Sequence, residues 1–307
     1  MKLIVFFSGI IALFFSCTQQ DTKLFVVHED LGKQFENKLT YTQEFNPYTY
    51  RNFYNGAGVA LGDINNDGLL DIYLTGNLVD NKLLLNKGNW KFEDITEKAG
   101  VACKGVWSTG VTFADVNGDG LLDIYVCKSG KPGGSNRHNE LFINQGDLTF
   151  SEESKSFGLD VLGLSVHAAF FDADLDGDLD CYVLNNSLRS VGGYDLIKDQ
   201  RYNADPNGEG NKFFENQDGV YVDVSTEKGI LTSTIGFGLG ITLSDFNNDR
   251  FPDLYISNDF FERDYFYLNN KNGFEESLES QFQSISMGAM GADAADLNND
   301  LKPDLFV

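Results

Sequence analysis

Residues 63–74 read DINNDGLLDIYL, and this stretch is the first of five related copies in the chain. Each copy places Asp or Asn at alternate positions of a nine-residue segment and continues directly into a short apolar stretch. The copies are DINNDGLLD (63–71), DVNGDGLLD (115–123), DADLDGDLD (172–180), DFNNDRFPD (245–253) and DLNNDLKPD (296–304). They start 52, 57, 73 and 51 residues apart. A period near fifty residues is typical of propellers and other repeat arrays, so the copies predict a repeat architecture.

Oxygen-bearing side chains at alternate positions of a tight loop match the needs of Ca²⁺, which takes six to eight oxygen ligands. In each copy we expect side-chain oxygens from positions one, three, five and nine and a backbone carbonyl from position seven, which gives up to five calcium sites. The predicted ligands are Asp63, Asn65, Asp67, Leu69 and Asp71; Asp115, Asn117, Asp119, Leu121 and Asp123; Asp172, Asp174, Asp176, Asp178 and Asp180; Asp245, Asn247, Asp249, Phe251 and Asp253; and Asp296, Asn298, Asp300, Lys302 and Asp304.

The five loops differ from EF-hands, whose last ligand is a bidentate Glu at position twelve. That position is aliphatic in every copy: Leu74, Val126, Val183, Ile256 and Val307. Position six, where we expect a left-handed backbone, is glycine in the first three loops but Arg250 and Leu301 in the last two. Such a residue costs on the order of 1 kcal/mol there, and the Arg250 guanidinium can compete with a cation. The first three loops are therefore the strongest candidates, and metal-free Asx turns are the alternative for all five.

Each acidic segment lies between two stretches with the patterning of β-strands. Small and β-branched residues precede it, as in STGVTFA, and alternating apolar residues follow it, as in DIYVCK. A third apolar stretch ending in Asn and Gly, such as NELFINQG, leads to an aromatic fourth at residues 90–95, 148–153, 220–225 and 273–278. The short alternation excludes an array of helices. The sequence therefore predicts an all-β fold, a β-propeller of four-stranded antiparallel blades that start near residues 57, 109, 165, 238 and 289.

The fifth unit stops in its second strand, so we expect about four and a half blades and an incomplete ring. Residues 55–307 form the predicted propeller, and residues 18–54 form a linker or edge segment before it. The long third interval contains an insertion at about 186–210, which is rich in Gly, Asn and charged residues. We expect it to be a loop on one rim, where binding residues often lie.

The N-terminus has the pattern of an export signal. Lys2 is followed by the mostly apolar residues 3–15 and then by Ser16 and Cys17. Thirteen residues are too few to span a bilayer comfortably, so residues 1–17 are predicted to be a signal peptide. The small residue before Cys17 resembles a bacterial lipobox, which predicts lipidation of Cys17 and membrane attachment. Ordinary signal cleavage and a buried helix are the alternatives.

Several stretches resemble a known repeat family. The G-x-x-x-x-D lead-in to the loops, GFGLG (236–240) and the D-[IL]-Y-[LVI] strands resemble FG-GAP/VCBS repeats. FENKLTYTQEF (35–45), residues 54–77, NKFFEN (211–216) and SNDFFERDYFYLNN (257–270) are similar to exported Bacteroidetes proteins related to cartilage acidic protein. This resemblance covers nearly all of the chain from about Phe35. No ASPIC/UnbV segment, with which such proteins usually end, is recognisable, which fits an incomplete chain.

The resemblance implies a calcium-binding propeller of the integrin-head type. It also implies an exported lipoprotein on the outer membrane or cell surface of a Gram-negative bacterium, with the periplasmic face as a further possibility.

Composition and motifs narrow the choice of function. The formal net charge of −23 argues against a nucleic-acid partner. No hydrolase, metalloprotease, phosphate-loop or dinucleotide motif is present, so no catalytic residue is assigned. Among the histidines His28, His138 and His167, His167 is the one that can face the central channel. We expect a binding or adhesion module for extracellular protein or glycan; a propeller-fold polysaccharide lyase or hydrolase, or its accessory domain, is the alternative.

The cysteines and the aromatic doublets have simple expected roles. Cys127 and Cys181 lie in predicted strands and are expected to be buried thiols, with a Cys103–Cys127 bridge as the minor alternative. The doublets 213–214 and 260–261 are expected to fill the core between blades rather than to form a sugar platform.

Overall fold

The computed structural model describes residues 25, 27, 35–130, 136–187, 200–203, 208–233, 235–260 and 262–307. The predicted signal peptide with Cys17, His28, Phe261 and most of the insertion after Asn186 lie outside the described residues. The described chain forms four four-stranded antiparallel sheets and one two-stranded sheet. The predicted all-β fold with propeller blades is confirmed, and the ring is open in the part of the chain described.

The strands of each blade follow one another in chain order and pair as antiparallel neighbours. Blade 1 contains β1 (Val59–Gly62), β2 (Asp71–Leu74), β3 (Lys82–Asn86) and β4 (Phe92–Asp94). Blade 2 contains β5 (Ser108–Ala114), β6 (Asp123–Lys128), β7 (Glu140–Asn144) and β8 (Phe150–Glu152). Blade 3 contains β9 (Ser165–Phe171), β10 (Asp180–Asn185), β11 (Lys212–Gln217) and β12 (Val220–Asp223). Blade 4 contains β13 (Gly238–Ser244), β14 (Asp253–Asn258), β15 (Tyr265–Asn269) and β16 (Phe274–Glu276), and blade 5 contains β17 (Asp293–Ala295) and β18 (Asp304–Phe306).

The first strands of neighbouring blades meet around a common axis. The Thr112 hydroxyl in β5 donates to the carbonyl of Ala168 in β9 at 2.7 Å, and the Thr242 hydroxyl in β13 donates to the carbonyl of Ala292 at 2.8 Å. The backbones approach so closely that a Cβ on Gly110 would lie 2.4 Å from the Val166 carbonyl oxygen. This crowding explains the small residues that precede every acidic segment.

Apolar side chains fill the spaces between blades. Between blades 2 and 3 the packed residues include Tyr125 and Cys127 on one side and Cys181 and Phe214 on the other. Phe213 is also buried, so the first aromatic doublet belongs to the core as expected. Cys127 and Cys181 are buried free thiols, and Cys103 is also free.

Short helices follow the fourth strand in three blades, and the sequence pattern does not reveal them. They are α1 (Thr96–Ala99), α2 (Ser154–Phe157) and α3 (Leu278–Gln281). One turn is too short to show a helical period of apolar residues. The Thr96 hydroxyl accepts the Leu83 N–H at 2.9 Å, so α1 is tied to β3 of blade 1. None of the helices in the described part of the chain has the length and apolarity needed to cross a membrane.

Residues 35–58 form an irregular segment, called the strap here, that contacts three blades. Its aromatic side chains pack on Trp107 of blade 2. The ring centroids of Phe45 and Phe53 lie 5.2 and 5.4 Å from the Trp107 ring centroid. Asn37 Nδ2 donates to Asn77 Oδ1 of blade 1 at 2.8 Å. The Arg51 guanidinium lies 5.0 Å from the Phe237 ring of blade 4. Trp107 directly precedes β5 and the acidic loop follows β5, so the strap lies at the opposite ends of the strands from the loops.

Candidate metal centres

All five acidic segments form the bend between the first and second strands of a blade, so they lie at the same end of the strands. The aspartate at position one closes each bend. Asp63 accepts the N–H groups of Asp67 at 3.0 Å and Gly68 at 2.7 Å. Asp296 in the fifth loop accepts the N–H groups of Asp300 and Leu301, both at 2.9 Å. The backbone closure is therefore the same whether position six is glycine or not.

Position six has the left-handed backbone that the sequence predicts. Its φ is 83° at Gly68, 84° at Gly120 and 102° at Gly177. Arg250 and Leu301 adopt the same conformation with φ of 84° and 69°. The last two loops thus carry the expected strain of about 1–2 kcal/mol each.

The third loop brings carboxylates together most closely. One carboxylate oxygen from each of Asp172, Asp174 and Asp176 lies within 4.8 Å of the others. Burial, and then the neighbouring Asp176 charge, raise the pKa of Asp178 to about 6. These residues fit a hard cation, because converging carboxylates repel one another unless a cation or protons neutralise them.

The other loops reduce this repulsion with an amide at position three. Asn65 Nδ2 donates to Asp67 Oδ2 at 3.1 Å, and Asn117 makes the matching bond to Asp119 at 2.9 Å. The fourth loop repeats the arrangement with Asn247 and Asp249 at 2.9 Å. Each of these loops keeps the oxygens of positions one, three and five on one short bend, and at these three positions it has one carboxylate fewer than the third loop.

In the first four loops the aspartate at position nine anchors the loop to the third strand. Asp123 is buried, with one oxygen accepting the Val116 N–H at 3.0 Å and the other accepting the Asn144 N–H at 2.8 Å. Burial raises the pKa of Asp123 and Asp253 to about 6 and that of Asp180 to about 7. A carboxylate oxygen has more than one lone pair, so these anchors can still serve as metal ligands.

Asparagines that end the third strand couple neighbouring blades, and this role was missed at the sequence level. Asn144 Nδ2 in blade 2 donates to the Ile64 carbonyl in the loop of blade 1 at 2.8 Å. Asn269 of blade 4 makes the matching bond to Ala173 of blade 3 at 2.7 Å. The Oδ1 atom of the same side chain accepts an N–H group of the following turn, as Asn144 does from Gly146 at 2.9 Å. The repetition of Asn at this one place was the available signal.

The two described histidines lie away from the acidic loops. His138 lies in the connection between β6 and β7 and is exposed. Its backbone forms an isolated β-bridge with Leu162, which lies shortly before β9. His167 in β9 faces a cavity near the axis, as the sequence suggested, and burial lowers its pKa.

Phe260 is the described half of the second aromatic doublet. It is 38% exposed, and its ring lies 4.8 Å from Phe237 and 5.1 Å from the Arg51 guanidinium. This half of the second doublet is therefore only partly buried.

The acidic loops and blades define the class of repeat. Residues 63–126 and 245–307 match the FG-GAP-like repeat family, and each matched region begins at the first aspartate of an acidic loop. These two regions of the chain are FG-GAP-like repeats, which confirms the resemblance seen in the sequence.

Over a longer stretch the chain is similar to cartilage acidic protein 1. The protein from Xenopus tropicalis is 28% identical over 207 residues, which cover 66% of this chain and 28% of that protein. The Mus musculus protein gives the same identity and coverage, and the Homo sapiens protein is 28% identical over 204 residues. The chain thus spans about 28% of the length of the curated relatives it matches. Neither the repeat family nor these relatives are named for an enzymatic activity.

Proposed function

We propose that this chain is an exported calcium-binding propeller that acts as a binding or adhesion module at the cell envelope. The observation that carries the proposal is the convergence of Asp172, Asp174 and Asp176, whose carboxylate oxygens lie within 4.8 Å of one another. The donor set of each loop consists of carboxylate, amide and carbonyl oxygens, which suits Ca²⁺ better than metals that prefer nitrogen or sulfur.

In this proposal calcium has a structural role. Each loop follows the strand nearest the axis, and the loops of blades 1 and 3 accept a hydrogen bond from the Asn that ends the third strand of the next blade. A cation that holds positions one, three, five, seven and nine would make the loop rigid and would hold these acceptors in place. Calcium would then stabilise the contacts between blades as well as the single loops.

Export supports the choice of calcium. The proposed signal peptide and lipidated Cys17 would place the propeller outside the cytoplasm, on an outer membrane or cell surface. Extracellular calcium modules can be weak, with dissociation constants of about 10⁻⁴–10⁻³ M. Exposed loops of this kind can therefore be filled where calcium is abundant.

A binding role is supported by the division of the molecule into two ends. The acidic loops occupy one end of the strands, whereas the strap lies at the other end, where the second strands finish. Loops on a rigid scaffold are common places for recognition. We propose that this second end binds an extracellular protein or glycan.

Calcium titration into chelator-treated protein tests the metal. A ligand present at 100 times its dissociation constant stabilises the folded state by about 2.7 kcal/mol, which corresponds to a rise in Tm of about 4 °C for each such site in a protein of this size. The matched variants are Asp176→Ala in the third loop and Asp218→Asn in an exposed turn of the same blade.

Asp176→Ala is expected to reduce the calcium-dependent rise in Tm, and Asp218→Asn to leave it unchanged. If millimolar calcium produced no rise in the unaltered protein, the metal proposal would be wrong. An equal response in both variants would remove the third loop from the set of sites.

A further inference from the structure

A cavity of about 230 Å³ lies near the axis, at the end of the strands opposite the acidic loops. Its walls are the first strands of blades 1 to 4, and Trp107 and Ser129 of blade 2 complete one side. Residues 50–58 of the strap form the remaining wall through Tyr50, Asn52 and Asn55. The strap is attached beside the cavity by the hydrogen bond between the Tyr50 and Ser129 hydroxyls at 2.7 Å. The cavity is therefore built by contacts between distant parts of the chain.

The cavity wall is uncharged and mostly apolar, with polar groups on Asn52, Asn55, Thr109 and Ser129. None of its described lining residues is Asp, Glu, Lys or Arg, although the chain has a formal net charge of −23. The amides of Asn52 and Asn55 can both donate and accept hydrogen bonds. His167 Nδ1 is buried and finds no hydrogen-bond partner among the described residues. The uncharged wall and the amides of Asn52 and Asn55 suit a neutral molecule that carries hydroxyl groups and apolar C–H faces.

Exposed aromatic rings lie on the strap that borders the cavity. Tyr41, Tyr48 and Tyr54 are 62%, 99% and 64% exposed. The Tyr41 and Tyr54 rings flank the buried Phe53 ring, with centroid distances of 5.8 and 5.4 Å. Tyr54 directly precedes Asn55 of the cavity wall. Tyrosine offers an apolar ring and a polar hydroxyl together, which matches a ligand with apolar C–H faces and hydroxyl edges.

We propose that the axial cavity binds one neutral sugar residue and that the strap tyrosines contact the sugar residues next to it. The volume supports a single ring, because it lies below the roughly 300–1,000 Å³ of sites for drug-sized ligands. The high negative charge of the chain disfavours uronic acids and sulfated sugars. This inference rests on the proposed binding function and specifies the ligand as a neutral glycan.

Two cavity variants and one control test the site in the complete chain with calcium present. Ala57 is exposed and lines the cavity, so Ala57→Phe fills the opening without displacing a buried side chain. His167→Gln changes the buried hydrogen-bonding group. Val220→Phe places the same aromatic ring at an exposed position of the outer strand β12. Binding is measured by calorimetry with neutral monosaccharides and oligosaccharides chosen from a glycan array, beside uronic-acid and sulfated glycans.

The unaltered chain is expected to bind neutral glycans only. Ala57→Phe should weaken binding at least tenfold, His167→Gln should weaken it severalfold, and Val220→Phe should have no effect. Tyr54→Ala should weaken binding of an oligosaccharide but not of a monosaccharide.

Exclusive binding of charged glycans, no binding of any glycan, or equal binding by Ala57→Phe would overturn the inference. The calcium-dependent Tm of each variant is measured in parallel. Loss of sugar binding with a normal calcium response separates failure of this site from failure of the proposed calcium-binding function.

Discussion

The first and third acidic loops have the same backbone closure but different charge. In both, the aspartate at position one accepts the N–H groups of positions five and six. The first loop places Asn65 at position three and uses its amide as a donor to Asp67, whereas the third loop has Asp174 there. A loop can thus keep its shape while its need for a cation changes with one side chain. The shape is set by backbone hydrogen bonds and the cation requirement by the side-chain charges.

The largest expected effect comes from removing the anchor that the first four loops share. Asp123→Ala leaves two buried N–H groups, those of Val116 and Asn144, without an acceptor. Each such group costs about 1–3 kcal/mol, so the free energy of unfolding in the presence of a chelator should fall by about 3 kcal/mol in urea denaturation. Asp119→Ala in the same loop alters an exposed carboxylate and should cost much less. Equal losses in the two variants would contradict the anchoring role.

Exchanging position three between the two loops tests the comparison directly. Asp174→Asn removes one of three converging carboxylates, so the chelator-treated protein should gain on the order of 1 kcal/mol of stability. Its calcium affinity in that loop should fall about tenfold, because affinity depends on ligand charge. Asn65→Asp should have the opposite effects on the first loop.

Both exchange variants are measured by thermal unfolding and by calcium titration. The idea that charge sets the cation requirement fails if Asp174→Asn lowers the stability of the metal-free protein and Asn65→Asp raises it.

A similar exchange of Asp for Asn occurs at the other end of the strands, at the residue that directly precedes the third strand of a blade. Asn81 and Asn139 of blades 1 and 2 donate to the hydroxyls of Tyr73 and Tyr125, whereas blade 4 has Asp264, which accepts from Tyr255 at 2.5 Å. Asp264 is buried, and burial raises its pKa above the usual 3.8, although Tyr255 and the Asn258 N–H oppose the shift. Folding therefore disfavours the ionised form of this carboxyl group.

Replacing Asp264 by Asn should change the dependence of stability on pH. A raised pKa in the folded state means that stability is lost as pH rises from about 4 through the pKa of the folded protein. Asp264→Asn should therefore become more stable relative to the unaltered protein as the pH rises from 4 to 7. Denaturation at several pH values in chelator measures this difference. A constant difference at all pH values would show that Asp264 does not titrate as its burial implies.

The smallest effect is expected at position six of the fourth loop. Arg250 has φ of 84°, so Arg250→Gly removes about 1–2 kcal/mol of backbone strain from the folded state. Glycine also makes the unfolded chain more flexible, which costs the folded state roughly 0.5–1 kcal/mol. The net gain should be about 0.5 kcal/mol in thermal unfolding with chelator. Gly68→Arg in the first loop is the reverse change and should destabilise. A loss of stability in Arg250→Gly would show that the Arg250 side chain makes contacts that outweigh the strain.

Much of the fold was predictable because each blade repeats the same local signals. The strands before and after the acidic loops lie where the alternating residues predicted them, as in β5 and β6. The left-handed backbone at position six was also predictable, because the glycines at three copies mark it. Local chemistry determines these features, so five copies in one sequence reinforce one another.

The contacts between blades were not predictable in this way. Asn144 and Ile64 are 80 residues apart in sequence, and nothing near either residue identifies the other as its partner. The strap packs on Trp107 through single, unrepeated aromatic residues, so no periodicity reveals it. The one-turn helices after the fourth strands were missed because a single turn has no visible period.

By itself the sequence determined the blades, the acidic bends and the small residues near the axis, because these depend on backbone and side-chain chemistry within a few residues. Only the tertiary structure decided which carboxylates converge, which asparagines link one blade to the next, and how the strap and His167 form an uncharged cavity in an acidic protein. Those features arise where distant segments meet, and their distances and burial depend on the packing of whole blades.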